Sequence, residues 1–256
     1  MNDMVDLHSH ILAGLDDGAR TLEESVEIAL TAARDGISVM AATPHVRDDY
    51  PTSIETMERL VLELDRVLRV QGIGLRVLGG AEIAIPRLLT LSDRELRRLG
   101  LGGNPRYLLV EFPYLGWPLS LETEIWTLRR RGFTPVLAHP ERNPEVQLAP
   151  ARLAPLVAAG ALVQLTAASV DGRLGQRNKR TAATLIAAGH AHIIASDAHW
   201  PGLRAAGLSS AAAAVGDAEL AGWLTRGVPS AIVEDRPIPL RPENEKPKSP
   251  KRRFRI

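Results

Sequence analysis

The chain of 256 residues has no cysteine. That absence removes disulfides, zinc–thiolate sites, iron–sulfur clusters and any thiolate nucleophile together. Any metal must then be held by imidazole and carboxylate, a donor mix suited to zinc, manganese or iron. Lysine is nearly missing as well: before residue 246 only Lys179 occurs. It does not end a strand-like run, which leaves no candidate for a carboxylated-lysine bridge between metals. No apolar stretch is long enough to span a bilayer. Asp3 and Asp6 charge the N-terminus and a strand-like run starts at Met4, leaving no room for a cleavable leader. The expectation is a cytoplasmic protein with no membrane span.

What is present is enough for one large core, since 45% of the residues are apolar and a single α/β barrel is common at this length. The net charge of +1 hides an asymmetry. Residues 246–256 carry Lys246, Lys248, Lys251, Arg252, Arg253 and Arg255 with no acid, so the body holds 25 bases against 30 acids, a formal charge of −5. An acidic body argues against a nucleic-acid surface, whose footprint is a basic face. The basic end reads as a disordered tail, 237–256, appended to a domain spanning 1–236.

Apolar runs alternate with amphipathic segments along the whole body. Strands are predicted at 4–7, 38–43, 75–81, 107–110, 134–138, 161–166 and 192–195. Helices are predicted at 21–35, 53–70, 120–131, 149–159 and 178–188. Thr21 and Ser53 are placed to cap helix starts, and Gly36, Gly132, Gly160 and Gly189 to stop them. Regular β–α alternation with near-continuous apolar strands predicts a parallel sheet covered by helices. Seven such units predict a closed (β/α)7, TIM-like barrel in preference to an open sheet.

The chemistry lies at the strand ends. Five of the seven histidines fall just past apolar runs: His8 and His10 in Asp-Leu-His-Ser-His, His45 in Thr-Pro-His, His139 in Ala-His-Pro-Glu-Arg and His199 in Ser-Asp-Ala-His. Asp17, Glu82, Glu111 and Asp197 occupy matching places. In a parallel barrel these ends meet at one mouth, where such enzymes build their active sites. Residues i and i+2 of an extended chain project to one side, so His8 with His10, and Asp197 with His199, can each reach one metal. A lone carboxylate ending an apolar strand, as Glu82 and Glu111 do, needs a cation to repay its desolvation. Asp16 stands beside Asp17; either can ligate, and one of them can instead cap the turn at Gly18. Arg142 and Arg204 follow His139 and His199, and a guanidinium fits phosphate oxygens bidentately. His190 and His192 precede the last strand and are assigned a structural or solvent role.

The ordered set His8-x-His10, Asp-Asp-Gly at 16–18, Thr-Pro-His45, Gly-Ala-Glu82, Glu111-Phe-Pro, His139-Pro-Glu-Arg142 and Ser-Asp197-Ala-His199 resembles the PHP (polymerase and histidinol phosphatase) superfamily. Within it, the set is most similar to the metal-dependent protein-tyrosine phosphatases of bacterial capsule and exopolysaccharide loci. The resemblance runs from residue 4 to about 235. It implies a distorted (β/α)7 barrel and a centre of three divalent metal ions, manganese first, with iron or zinc as alternatives. Carried over, His8, His10, Glu82 and Asp197 would hold one ion. Glu82, Glu111 and His139 would hold a second, with Glu82 bridging, and Asp17, His45 and His199 a third. Arg142 and Arg204 would grip phosphate while a metal-bound hydroxide attacks phosphorus. The implied partner is a phosphotyrosine protein, the tyrosine-rich tail of a bacterial tyrosine kinase. Two segments depart from the family's pattern, Val-Arg-Asp-Asp-Tyr after His45 and Trp200-Pro201 after His199, and both border the substrate. The alternative reading is a small-metabolite phosphomonoesterase such as histidinol-phosphate phosphatase. Without cysteine, the thiolate class of tyrosine phosphatases is excluded.

Overall fold

The computed structural model describes residues 3–200 and 204–243. Nine strand segments carry it: β1 Met4–Asp6, β2 Ile37–Ala41, β3 His45–Val46, β4 Arg76–Leu78, β5 Glu82–Ala84, β6 Tyr107–Glu111, β7 Thr134–Ala138, β8 Leu162–Thr166 and β9 Ile193–Ala195. Every pairing between them is parallel. A three-stranded sheet runs β1-β2-β4 and a six-stranded one runs β3-β5-β6-β7-β8-β9. All five residues of β6 are buried, as a strand covered on both faces requires. Leu108, Leu109, Val136, Leu137, Val163 and Ile194, all fully buried, sit in the core beneath the covering helices.

Seven strands were predicted; two of them are each broken into a pair. The run 38–43 ends at Ala41 and resumes at His45, because Pro44 has no N–H to donate to a ladder. The run 75–81 ends at Leu78 and resumes at Glu82, after Gly79 and Gly80, residues that weaken a strand. Each break steps the chain from the smaller sheet to the larger. Beyond the named strands, the backbones of β1 and β9 continue side by side: Asp197 N donates to His8 O at 2.9 Å and His10 N to Ala198 O at 2.8 Å. On its other side Ser9 O accepts from Thr43 N at 2.8 Å. Hydrogen bonds past the C-terminal strand ends therefore connect the two sheets.

The helices begin where the caps predict. The Thr21 side chain accepts from Glu24 N ahead of α1, Leu22–Arg34, and Ser53 accepts from Thr56 N ahead of α2, Ile54–Val70. The predicted helix 149–159 is instead a 3-10 turn, Pro150–Leu153, running into a short α-helix, Ala154–Ala158. Pro155, inside the predicted span, removes a donor that a continuous helix would need. Helices Ser209–Val215, Ala218–Gly222 and Val228–Val233 fall in an alanine-rich stretch with no polar stripe to reveal them. Of the predicted tail, residues 238–241 pack on the body: Trp223 Nε1 donates to Pro239 O and Arg241 Nη2 to Ile186 O. The rest, 244–256, lies outside the described residues, as do Pro201, Gly202 and Leu203.

Candidate metal centre

All nine predicted metal-site side chains meet at one rim. Glu82 is the hub: its Oε2 lies 3.4 Å from His8 Nε2, 3.5 Å from His10 Nε2 and 3.1 Å from His45 Nδ1, and its Oε1 is 2.8 Å from His139 Nε2. Asp197 Oδ1 stands 3.4 Å from His8 Nε2 and 3.5 Å from His10 Nε2. Asp17 Oδ1 faces the Nε2 atoms of His199 at 3.3 Å and His45 at 3.5 Å. Three sets bring donor atoms within 4.8 Å of one another and can hold an ion: His10, Asp17, His45 and His199; His8, His10 and Glu82; and His45, Glu82 and Glu111.

Local backbone aims these groups. His139, at φ 39° directly after β7, and Asp197, at φ 55° two residues past the end of β9, occupy the left-handed region, where a non-glycine residue costs about 1–2 kcal/mol. Such strain turns each side chain inward from a strand end. Gly18 is required for a different reason. A Cβ there would lie 2.1 Å from His10 O and 2.4 Å from His10 Cβ, so the Asp16–Gly18 turn can lie against His10 only without a side chain at its last position.

The ring nitrogens that face away from the centre are spoken for. His10 Nδ1 bonds Asp16 Oδ2 at 2.7 Å, His8 Nδ1 bonds Gln164 Oε1 at 3.0 Å, and His199 Nδ1 bonds Asp197 O at 2.9 Å. With Nδ1–H donating in each, Nε2 keeps its lone pair for the centre, the arrangement that orients metal-bound imidazole. Asp16 also accepts from Gly18 N at 3.0 Å and His45 N at 3.0 Å. It is therefore Asp16 that caps the turn, while Asp17 faces His45 and His199.

The electrostatics call for positive charge. Burial works against ionised Glu82, but His8 and His139 outweigh it and hold the carboxyl well below its usual range. Asp197 is likewise held low, against burial, by His8, His10 and Arg204. Burial works against protonation of His45, yet Asp17 and Glu82 push it up to about 9. His139 and His199 go the other way: burial drives His139 down to about 4 and, with His10 beside it, also lowers His199. Among the side chains of the centre, four buried atoms that could ligate a metal have no hydrogen-bond partner: His45 Nδ1, Glu82 Oε2, Asp197 Oδ1 and His199 Nε2. Orphaned lone pairs of this kind cost free energy unless satisfied. A cluster of nitrogen and oxygen donors whose lone pairs point at each other fits divalent cations.

Arg142 Nη1 and Arg204 Nη2 both donate to Asp197 Oδ2, at 2.7 and 2.8 Å. The sequence assigns no role to some members of the site. Arg47 Nη1 holds Glu111 Oε1 at 2.9 Å, and Tyr114 packs on the His139 ring. Gln164 had a readable signal, a fully buried amide in an apolar strand. It belongs to the one predicted strand that ends without a ligand.

A parallel α/β protein with a His/Asp/Glu cluster able to hold metal at its strand ends is the class that fold and site define. Residues 4–219 match the family model described as capsular polysaccharide synthesis, CpsB/CapC, and the chain belongs to that family. It is 37% identical over 199 residues to the tyrosine-protein phosphatase YwqE of Bacillus subtilis, covering 77% of each chain. It is 33% identical over 199 residues, again 77% of each chain, to a putative tyrosine-protein phosphatase CapC of Staphylococcus aureus. Among solved structures, those of YwqE from B. subtilis and CpsB from Streptococcus pneumoniae, described as unique metal-dependent tyrosine phosphatases, match with a TM-score of 0.84 at 30% identity. That match covers 94% of this chain and 99% of the other.

Proposed function

We propose that this protein is a metal-dependent protein-tyrosine phosphatase that hydrolyses phosphotyrosine on a bacterial tyrosine kinase controlling capsule or exopolysaccharide synthesis. The observation that carries the reading is the placement of two guanidiniums on one carboxylate oxygen of the cluster, Asp197 Oδ2. Asp197 Oδ1 faces His8 and His10, so Oδ2 marks the border between ion-holding groups and phosphate-holding groups. His8, His10, Glu82 and Asp197 would hold a first ion; Glu82, Glu111 and His139 a second; Asp17, His45 and His199 a third. Manganese is the first choice, iron or zinc the alternatives. Bound divalent metal supplies Lewis acidity and lowers the pKa of water from about 15.7 toward about 7.

The chain's own residues bind and orient. Arg142 and Arg204 present planar forks that pair with phosphoryl oxygens and stabilise charge as it spreads there. Arg47, held by Glu111 and Asp49, keeps a third guanidinium at the same rim. With no cysteine in the chain, no thiol ester of phosphate forms. A phenolate leaving group, pKa about 10, departs with little acid assistance, which suits phosphotyrosine. The relatives' names and the family's description support the substrate class and the capsule setting. The cytoplasm is the proposed location, because a kinase makes phosphotyrosine there from ATP. A closed, distorted (β/α)7 barrel is the proposed architecture of a 1–236 domain with 237–256 appended. The hydrogen bonds joining the ends of β1 and β9 support it.

Purified protein given manganese should hydrolyse para-nitrophenyl phosphate and phosphotyrosine peptides, lose that turnover to a chelator and regain it on metal addition. Arg142→Ala should lower kcat by about 100-fold. Turnover that persists unchanged after metal stripping would overturn the proposal.

A further inference from the structure

Three aromatic rings stand around the centre, each against a different histidine. Tyr50 stacks on His45 with ring centroids 5.4 Å apart and planes at 15°, and Tyr114 stacks on His139 at 5.6 Å and 16°. Trp200 stands edge-on to His199 at 5.4 Å and 89°. Every one of the three also has a guanidinium over it: Arg47 at 5.8 Å from the Tyr50 centroid, Arg142 at 5.0 Å from Tyr114, and Arg204 at 6.0 Å from Trp200. The whole chain has only ten Phe, Trp and Tyr residues. Core packing does not account for this group, since Tyr114 is 41% exposed and Trp200 44% exposed, whereas Phe112 and Phe133 are fully buried.

Two of the rings share a destination. Their arginines, Arg142 and Arg204, converge on the single atom Asp197 Oδ2, the place assigned above to phosphate. Tyr114 follows β6 and Trp200 follows β9, and in the order β6-β7-β8-β9 the two loops stand on either side of the strands between them. Tyr50 is set apart, because its arginine is held by Glu111 and Asp49.

We infer that Tyr114 and Trp200 form an aryl subsite that holds the phenyl ring of a phosphotyrosine whose phosphate lies on Arg142 and Arg204. This inference rests on the phosphatase reading and deepens it: the subsite selects aryl over alkyl phosphomonoesters. Each of the two rings lies under one of the arginines that meet at Asp197 Oδ2, so they flank the place assigned to phosphate, and aromatic pairs gain from offset or edge-to-face contact beyond their buried area. The single methylene of phosphoserine offers no ring for them. Each arginine, by sitting over its ring, holds that ring against the mouth.

The test compares phenylphosphonate with methylphosphonate, two non-hydrolysable ligands sharing one charged head. Titration calorimetry on metal-loaded protein reads their affinities directly, independent of turnover. Wild type is expected to prefer phenylphosphonate by about tenfold. Trp200→Ala and Tyr114→Leu should each bring that ratio down toward one, and Trp200→Phe should retain most of it. Metal content, measured on each variant, guards against loss through the histidines beneath. A wild-type ratio near one, or a ratio unchanged in both ring-deleting variants that keep their metal, would overturn the subsite. Failure to turn over phosphotyrosine while the ratio behaves as expected would count instead against the phosphatase reading.

Discussion

A carboxylate one position off can serve a different role altogether. Asp16 and Asp17 are chemically alike and adjacent, and pattern alone left either able to ligate. What separates them is the turn: Asp16 spends its oxygens on His10 Nδ1, His45 N and Gly18 N, while Asp17 faces His45 and His199. Asp16→Asn should therefore leave the ligand count intact but loosen the centre. The amide, with a single oxygen, can accept from only one of the two backbone N–H groups that Asp16 serves, and it no longer charges the His10 ring; such outer partners are worth about 10–100-fold in metal affinity. Metal titration against a competing chelator checks this; an affinity equal to wild type would show that Asp16 does no more than shape the turn. Apart from Asp17, the metal-site side chains that gather at the rim were legible because each follows closely where an apolar run stops. Tyr114 was not, because nothing in its local sequence distinguishes a rim side chain from a surface one, and Arg47 was legible only as part of the segment after His45 that borders the substrate, with no role of its own.

At the scale of the element, the strand ends were readable and the strand interruptions were not. Pro44 and the Gly79-Gly80 pair each lie inside or beside a run that looks continuous by hydropathy, yet a missing donor and two missing side chains split those runs between sheets. The N-terminal end of β9 carries a second consequence. Val163 N donates to His192 Nδ1 at 3.2 Å, and His192 N donates to Val163 O at 2.9 Å, so this ring latches β8 to β9. Burial, aided by Arg241, pushes His192 down to about 4. Unfolded, the ring takes its proton near pH 6.5. Between those values the unfolded chain binds more protons, so the contribution is full above pH 6.5 and is lost as pH falls toward 4. At pH 5 the loss from this ring is about 2 kcal/mol. In urea titrations of chelated protein at pH 7.5 and pH 5, His192→Asn keeps an acceptor for Val163 and should lose less stability between the two than wild type. Equal losses would remove His192 as the cause.

The whole molecule is tied together at the rim. Donors come from the backbone beyond β1 and β9, from the last residues of β6, and from β3, β5 and the turn after β7, which draws on both sheets. Four atoms there that could ligate a metal are buried without partners, and the carboxylates of Glu82 and Asp197 are held ionised against strong burial. A metal-free molecule must balance that charge with protons on His8, His10 and His45, which the same carboxylates raise. Ions that bind only this assembled arrangement stabilise the fold by mass action, about 2.7 kcal/mol for each site held at 100-fold over its Kd. For a chain of this length 1 kcal/mol moves Tm by about 2–4 °C, so even one site is worth roughly 5–10 °C. Thermal unfolding followed by circular dichroism should fall by at least that much when chelator replaces manganese, and should recover when metal returns. Glu82→Gln removes the hub charge shared by two of the three proposed sites, so metal should raise the Tm of the variant by clearly less than it raises that of wild type. A wild-type Tm indifferent to chelation would mean that the donors close their own contacts without an ion, and that the rim is a structural network, not a metal centre.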